Sequence, residues 1–89
     1  MATLKNGVQY ALATTAVLVL PESSSRRGAV FNAVTGTTYI GAAGVTSTTG
    51  IPLEQGATLA FAGISCPNNA VYAISLLPAT VFVTEINLL

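Results

Sequence analysis

The sequence has few of the residues from which catalytic and metal sites are usually built. Its 89 residues include no histidine, no tryptophan, a single cysteine, three cations and three anions. The absence of histidine removes the commonest general base and metal ligand. The one cysteine, Cys66, cannot form a disulfide within the chain and has no neighbouring cation to activate its thiol. We therefore expect no catalytic residue, no metal ion and no cofactor.

The scarcity of charge restricts the partners of the protein. Charged residues make up 7% of the chain, against about 25% in a typical domain, and the net charge is zero. The one adjacent pair of cations, Arg26–Arg27, is too small a cluster for nucleic-acid binding. A soluble monomer usually carries more charge. We therefore expect this chain, which is 52% apolar, to cover much of its surface with other proteins.

Long hydrophobic runs and targeting signals are also missing. The longest apolar run, residues 8–20, is interrupted by Gln9, Thr14 and Thr15, and it is shorter than the roughly twenty residues of a membrane-spanning helix. The N-terminal segment does not show the charged-then-apolar order of a secretory signal. We expect synthesis in the cytoplasm and no contact with a membrane.

The charged side chains are not grouped in the sequence. Glu22, Glu54 and Glu85 are far apart and are interpreted as solvated or ion-paired carboxylates. Residues 22–27 (ESSSRR) are typical of a polar turn, in which Arg26–Arg27 is solvated or pairs with Glu22 or with a neighbouring subunit. A small anion site beside the serine hydroxyls is the alternative.

The glycine-rich stretch 39–56 invites comparison with a phosphate-binding loop. Residues 36–41 have the glycine spacing of that motif, but the next two residues are alanines where it requires lysine and serine or threonine. We therefore expect a neutral packing loop at a subunit contact, with hydroxyl groups that satisfy its backbone. Gly41 and Gly44 are expected at positions of positive φ or of close backbone approach.

The residues that are abundant favour strands. Val, Thr, Ile, Tyr and Phe predominate, the helix-favouring Lys, Glu, Gln, Arg and Met are scarce, and turn residues recur at short intervals. This pattern predicts an all-β fold, a single small antiparallel β-sandwich or partly open barrel of about six to seven strands. We assign the sandwich to residues 8–89. Residues 1–7 are assigned to an extended arm that lies on a neighbouring subunit and adds a strand to it.

Two predicted strands have one clear apolar face. Residues 8–20 alternate so that the even positions face the core, and the run is long enough to bend near Thr14–Thr15 and serve two sheets. Residues 57–62 place Leu59 and Phe61 on the same side. Both runs are therefore expected to pack one face on the core.

The other predicted strands come in pairs. Residues 29–34 and 37–41 are separated by a turn and are predicted to form a hairpin. The last pair, 70–77 and 79–87, is joined at Pro78. Both of its members are nearly apolar on both sides, which is typical of strands covered on both faces.

Several fragments stand in an order and spacing that resemble small virion proteins of tailed bacteriophages. An Arg precedes a strand that ends in Asn, a Tyr-Ile-Gly strand follows, then a neutral loop closing in Gly-Ile-Pro-Leu, and later a Tyr-Ala-Ile strand. The fragments are Arg27-Gly-Ala-Val-Phe-Asn32, Thr37-Thr-Tyr-Ile-Gly41, Gly44-Val-Thr46, Gly50-Ile-Pro-Leu53, Gly56 and Ala70-Val-Tyr-Ala-Ile74. The resemblance covers about residues 16–85, except for residues 63–69, which depart from the pattern.

The resemblance implies a compact β-sandwich used as a structural module, often trimeric, on phage heads or in tail and fibre parts. We therefore hypothesise a non-enzymatic capsid decoration (cement) protein. It binds the outside of the head as a homo-oligomer, with a trimer favoured, and stabilises contacts between capsid subunits. Its partners are then the major capsid protein or another virion protein, and its location is the capsid surface after synthesis in the host cytoplasm.

The candidate interface residues are of three kinds. They are the arm residues Leu4, Lys5 and Val8, the local organisers Arg27 and Asn32, and the apolar loop residues Val45, Ile51 and Leu53.

Other functions remain open at this point. The first alternative is a tail, baseplate or fibre module. A more distant one is a carbohydrate-binding module in which Tyr10, Tyr39 and Tyr72 stack on a sugar, although packing is favoured for these rings. A small enzyme and a surface-active or amyloid-forming protein are the least favoured, the latter because Gly and Pro break the strands.

Overall fold

The computed structural model of the protein describes residues 2–4, 6–62 and 68–88. Within these ranges all regular structure is β-strand, and no helix has the length and hydropathy needed to cross a bilayer. The nine strands are β1 (Ala2–Leu4), β2 (Val8–Leu12), β3 (Val17–Leu20), β4 (Arg26–Thr35), β5 (Thr38–Gly41), β6 (Ile51–Leu53), β7 (Thr58–Ala62), β8 (Val71–Ile74) and β9 (Ala79–Leu88).

The strands form two antiparallel sheets. Sheet A has the order β1-β9-β4-β7, and β2 also pairs with β9; sheet B has the order β3-β8-β5-β6. β1 lies opposite residues 86–88 and β2 opposite residues 79–83, while β4 occupies the other edge of β9. β1 and β2 therefore form one interrupted strand, and each sheet is four positions wide. The predicted small antiparallel β-sandwich is confirmed, with more strands than the six or seven expected.

The predicted hairpin of residues 29–34 and 37–41 is wrong. β4 belongs to sheet A and β5 to sheet B, so the chain changes sheets at Gly36. Gly36 has a φ of 71°, a conformation that suits glycine and turns the chain sharply. Because β4 is already paired with β7 and β9, its two edges are filled and β5 cannot pair with it.

The last two strands also lie in opposite sheets, and neither is covered on both faces. β8 alternates buried and half-buried residues, and β9 buries Val81 and Val83 while Phe82 between them is 37% exposed. Each strand thus directs one row of side chains into the sandwich and the other row outwards, as the pleat of a strand requires. Within the single chain, the prediction of double coverage is therefore wrong.

The run 8–20 divides between the two sheets, as predicted from its length. β2 pairs with β9 in sheet A and β3 with β8 in sheet B. The alternation does not continue through the break, because Leu18 is 45% exposed whereas Val19 is 2% exposed. An irregular register between Leu18 and Leu20 then brings Leu20 inwards as well. The predicted core face is correct for Tyr10 and Leu12 and wrong at Leu18.

The core lies between the inner faces of the two sheets. Phe31 is fully buried at its centre, and its ring makes an edge-to-face contact with Phe61, with centroids 6.3 Å apart. Leu59 and Phe61 both pack on the core, so their predicted common face is confirmed. The buried apolar residues are Leu12, Val19, Leu20, Ala29, Phe31, Ala33, Ile40, Leu53, Val71, Ala73, Ala79, Val81 and Val83.

Two short edge strands lie in segments predicted to be an arm and a loop. β1 pairs with β9 of the same chain, with Leu4 opposite Ile86. The arm thus adds a strand within its own chain, and a contact with a neighbouring subunit stays a prediction. β6 pairs with β5 and places Pro52 opposite Tyr39. Proline is tolerated there because an edge strand needs no N–H donor on its free side.

Candidate interaction surface

The outer side of sheet B is almost entirely apolar. In β5 and β8 the buried residues alternate with Tyr39, Tyr72 and Ile74, which therefore point outwards. One row runs from Leu18 through Tyr72 to Gly41, and the next from Ile74 through Tyr39 to Pro52, so the two rows together reach all four strands. We call this surface the apolar face: Leu18, Tyr39, Pro52, Tyr72 and Ile74, with Leu76, Leu77 and Pro78 at its end.

The loop after β8 continues the apolar face. Leu76 is 60% and Leu77 is 77% exposed, which are high values for leucine. Together with Gly36, Thr37, Tyr39 and Pro78 they line a groove of about 330 Å³. The surface therefore carries both projecting leucines and a hollow beside them.

The outer side of sheet A has a different character. One row crosses all four positions of the sheet and consists of Gln9, Phe82, Asn32 and Thr58. The Asn32 side-chain amide donates a hydrogen bond of 2.7 Å to the Thr58 hydroxyl. Amides and hydroxyls of this kind bind water, so sheet A can face solvent at low cost. The apolar face has no comparable groups apart from the tyrosine hydroxyls.

The edges of both sheets lack charge as well. The five edge strands β1, β2, β3, β6 and β7 contain no charged side chain. Proteins that stay monomeric commonly place lysine or other charges on such edges to prevent strand addition. The proline in β6 and the irregular register in β3 are the protections visible here. Uncharged edges beside an apolar face favour association with other chains.

The described charged side chains lie away from the apolar face. Arg26, Arg27 and Glu85 are at one end of the sandwich, whereas Glu54 is in the turn beside the other end of β4. Arg26 is fully buried, and its Nε donates a hydrogen bond of 3.0 Å to the Glu85 carboxylate. Its two remaining nitrogens donate to the backbone carbonyls of Asn69, at 3.0 Å, and of Pro21. The Asn68 side chain donates to the carbonyls of Ser23 and Arg26, at 2.8 and 3.1 Å. This cluster ties β4, β9 and two loops together.

A bulge in β4 separates the roles of the two arginines. The register shifts between Arg26 and Gly28, so Arg26 turns into the sandwich and Arg27 is the extra residue outside. Arg27 donates to the carbonyls of Ser24 and Arg26 at 3.2 and 3.0 Å and so holds the turn. Arg26 forms its ion pair with Glu85 and not with Glu22, which was one of its expected partners. With its donors directed at carbonyls and a carboxylate, Arg26 is not arranged to bind an anion.

The stretch 39–56 packs against itself. A Cβ atom at Gly41 would lie 2.7 Å from the Val45 side chain, and Gly44 has a φ of 82°, so both expectations for these glycines are confirmed. The Thr49 hydroxyl accepts from the backbone N–H of Thr46 at 2.9 Å. Hydroxyls therefore satisfy this loop, as expected. Whether it contacts another subunit stays a prediction.

The predicted interface residues do not form one surface. Leu4 (70% exposed), Val8 (51%), Arg27 and Asn32 belong to sheet A. Ile51 is 47% exposed on β6 at the edge of sheet B. The side chains of Val45 and Leu53 are buried within the chain, at 6% and 5% exposure. Lys5 lies outside the described residues, as does Cys66.

Sequence reasoning missed the apolar face. Its members Leu18, Tyr72 and Ile74 were assigned to buried positions, and Leu76 and Leu77 to the end of a strand. The available signal was a difference in polarity between the outward-facing positions of the two strands. Those of β9 include Thr80 and Thr84, whereas those of β8 carry Tyr72 and Ile74. Of the three tyrosines, Tyr10 packs on the core, so a platform of all three is wrong.

The described residues contain no group of three or more His, Cys, Asp or Glu side chains that could hold a metal ion. No protein-family model, no curated protein and no solved structure matches this chain. Its function is therefore proposed from the apolar face and from the order of the sequence fragments.

Proposed function

We propose that this protein is a non-enzymatic structural subunit that works by permanent association with other protein surfaces. The observation that supports this proposal is the apolar face, on which no charged side chain lies within the described part of the chain. Monomeric proteins seldom expose a continuous surface of this kind, and such surfaces commonly mark protein contacts. The uncharged edge strands support the same conclusion.

The particular assembly is proposed from the resemblance to small virion proteins of tailed bacteriophages. We assign the protein to the outside of the phage head, as a capsid decoration protein that forms a homo-oligomer and binds the major capsid protein. Its mechanism is the burial of apolar area across the joints between capsid subunits. Each 100 Å² of apolar surface removed from water contributes about 2.5 kcal/mol before the costs of ordering. Separating the capsid subunits then means losing this stabilising free energy.

The test compares phage heads that carry the protein with heads from which its gene has been deleted. We expect the protein in hundreds of copies per head, and we expect the deleted heads to break at a lower temperature or osmotic shock. Absence of the protein from purified particles, or equal tolerance of both kinds of head, contradicts the proposal. A few to a few dozen copies per particle identify the alternative, a tail, baseplate or fibre module.

A carbohydrate-binding role is the second candidate, because one observation favours it. Tyr39 and Tyr72 lie on the neighbouring strands β5 and β8 and point to the same side of sheet B. Aromatic rings in this arrangement stack on the apolar faces of sugars. A glycan array tests this candidate, with Tyr39→Ala and Tyr72→Ala as variants. No binding, or binding that both variants retain, eliminates it.

A further inference from the structure

We infer that the apolar face is the surface through which copies of this chain contact each other. The outer side of sheet A, where Val34 and Phe82 are exposed among polar residues, is left for solvent or for the shell. The proposed function includes self-association of this chain. The apolar face is the surface assigned to that self-association, and in this respect the inference rests on the proposed function. Its test uses purified protein alone, so its failure leaves binding to a capsid open.

The first reason is the difference between the two outer sides of the sandwich. Sheet A interrupts its apolar residues with Gln9, Asn32, Thr58, Thr80 and Thr84, all with polar groups that water satisfies. Along the strands of sheet B the corresponding positions carry aliphatic, proline and tyrosine side chains. Leaving this side exposed costs free energy in water, and covering it with a like surface removes that cost.

The second reason is electrostatic. The described charged residues lie in turns or at the Arg26 end of the sandwich, and none lies on the apolar face. Two identical faces therefore approach each other without repulsion between like charges, whereas a charged partner gains nothing from this surface. An uncharged surface of this kind is electrostatically compatible with a second copy of itself.

The third reason is shape. The exposed side chains of Leu76 and Leu77 project beside the groove that they line with Tyr39 and Pro78. An isologous contact, about a two-fold axis between two copies, uses the same surface elements on both sides, so projections and hollows must occur together. Here the leucines of one copy have a mainly apolar hollow, with Thr37 as its polar member, to enter on the other.

The experiment measures the mass of the purified full-length chain by light scattering and sedimentation over a wide concentration range. We expect the unaltered protein to have a multiple of its chain mass of 9.0 kDa. Leu77→Ser and Leu18→Ser lie at opposite ends of the apolar face, and each is expected to weaken self-association at least about tenfold. Both side chains are exposed in the single chain, so we expect both variants to fold. Thermal melts check that they do.

Val34→Ser is the matched control, because Val34 is 43% exposed, close to the 45% of Leu18, but lies on β4 in sheet A. We expect this variant to keep the mass of the unaltered protein. The inference is overturned by a monomer of 9.0 kDa at all concentrations. It is equally overturned if the folded Leu18 and Leu77 variants associate as strongly as the Val34 control.

Discussion

The guanidinium of Arg26 and the carboxylate of Glu85 form an ion pair of 3.0 Å across 59 residues of sequence, with the arginine side chain fully buried. Arg26 belongs to β4 and Glu85 to β9, the central strands of sheet A. In a chain with six charged residues, one cation and one anion are thus used to close the end of the sandwich. They bind the loop that precedes β4 and the segment that precedes β8.

Replacing Arg26 by methionine tests how much the fold depends on this pair. We expect Arg26→Met to lower the free energy of unfolding by about 3–5 kcal/mol, because it leaves a partly buried carboxylate and two carbonyls without their donor. This is a large part of the stability of a small domain. Chemical denaturation measures the loss. Arg27→Met, at the exposed neighbour, is the control, and an equal loss in both variants contradicts the assignment.

Thr38 offers a prediction of the opposite sign. Its hydroxyl is fully buried and has no hydrogen-bond partner within the described part of the chain. A buried group of this kind costs about 1–3 kcal/mol, and valine has nearly the same shape and suits a strand. We therefore expect Thr38→Val to raise the melting temperature, while Thr37→Val, at an exposed position, changes it little. A lower melting temperature for Thr38→Val refutes this reading of the core.

The two glycines Gly50 and Gly44 separate steric from conformational effects. A Cβ atom at Gly50 would lie 2.8 Å from Tyr39 Cβ and 2.9 Å from Val45 Cγ2, whereas one at Gly44 meets nothing within 4 Å. We expect Gly50→Ala to cost about 1–3 kcal/mol through overpacking. Gly44→Ala is expected to cost about 1 kcal/mol through its positive φ alone.

Substituting asparagine, which tolerates this φ, distinguishes the two causes. Gly44→Asn should recover part of the loss, and Gly50→Asn should recover none. Stability curves in urea give the comparison. Recovery at Gly50 is incompatible with the packing described for this loop.

The orientation of β3 can be tested at two adjacent residues. Val19 is 2% exposed and Leu18 is 45% exposed, the reverse of the orientation predicted from the alternation of residues 8–20. Val19→Ser is expected to cost about 2–4 kcal/mol, since it empties part of the core and buries a hydroxyl. In the dissociated single chain, Leu18→Ser should change stability by no more than about 0.5 kcal/mol. Equal losses of stability in the two variants, or a greater loss for Leu18→Ser, contradict this orientation of β3 and favour the one predicted from the alternation.

Much of the local structure could be predicted from the sequence. The strands at 57–62 and 79–87 were placed within about a residue of β7 and β9, and Gly41 and Gly44 were assigned their close approach and positive φ. These features depend on neighbouring residues: the pleat fixes which side chains share a face, and glycine alone tolerates the crowded or left-handed positions.

The candidate surface could not be predicted in the same way. Tyr72 and Ile74 are as apolar as core residues, and only the packing of the second sheet decides which row of β8 is covered. The predicted interface residues were chosen for local properties, and the fold divides them between two sheets. The prediction of neighbouring strands was also wrong at Gly36. The turn there would suit a hairpin, but it carries the chain into the other sheet.

The sequence by itself determined that this protein is all-β, is poor in charge and has neutral, glycine-bounded loops, because strand propensity, turn chemistry and charge are properties of single residues and their neighbours. Only the tertiary structure decided the pairing of Arg26 with Glu85, the inward turn of Val19 and the exposure of the apolar face. Each of these features depends on which distant segment of the chain lies opposite. Backbone hydrogen bonds do not select that segment, because they are nearly the same for any two paired strands. The choice is then made by how the side chains of both sheets fill a common core.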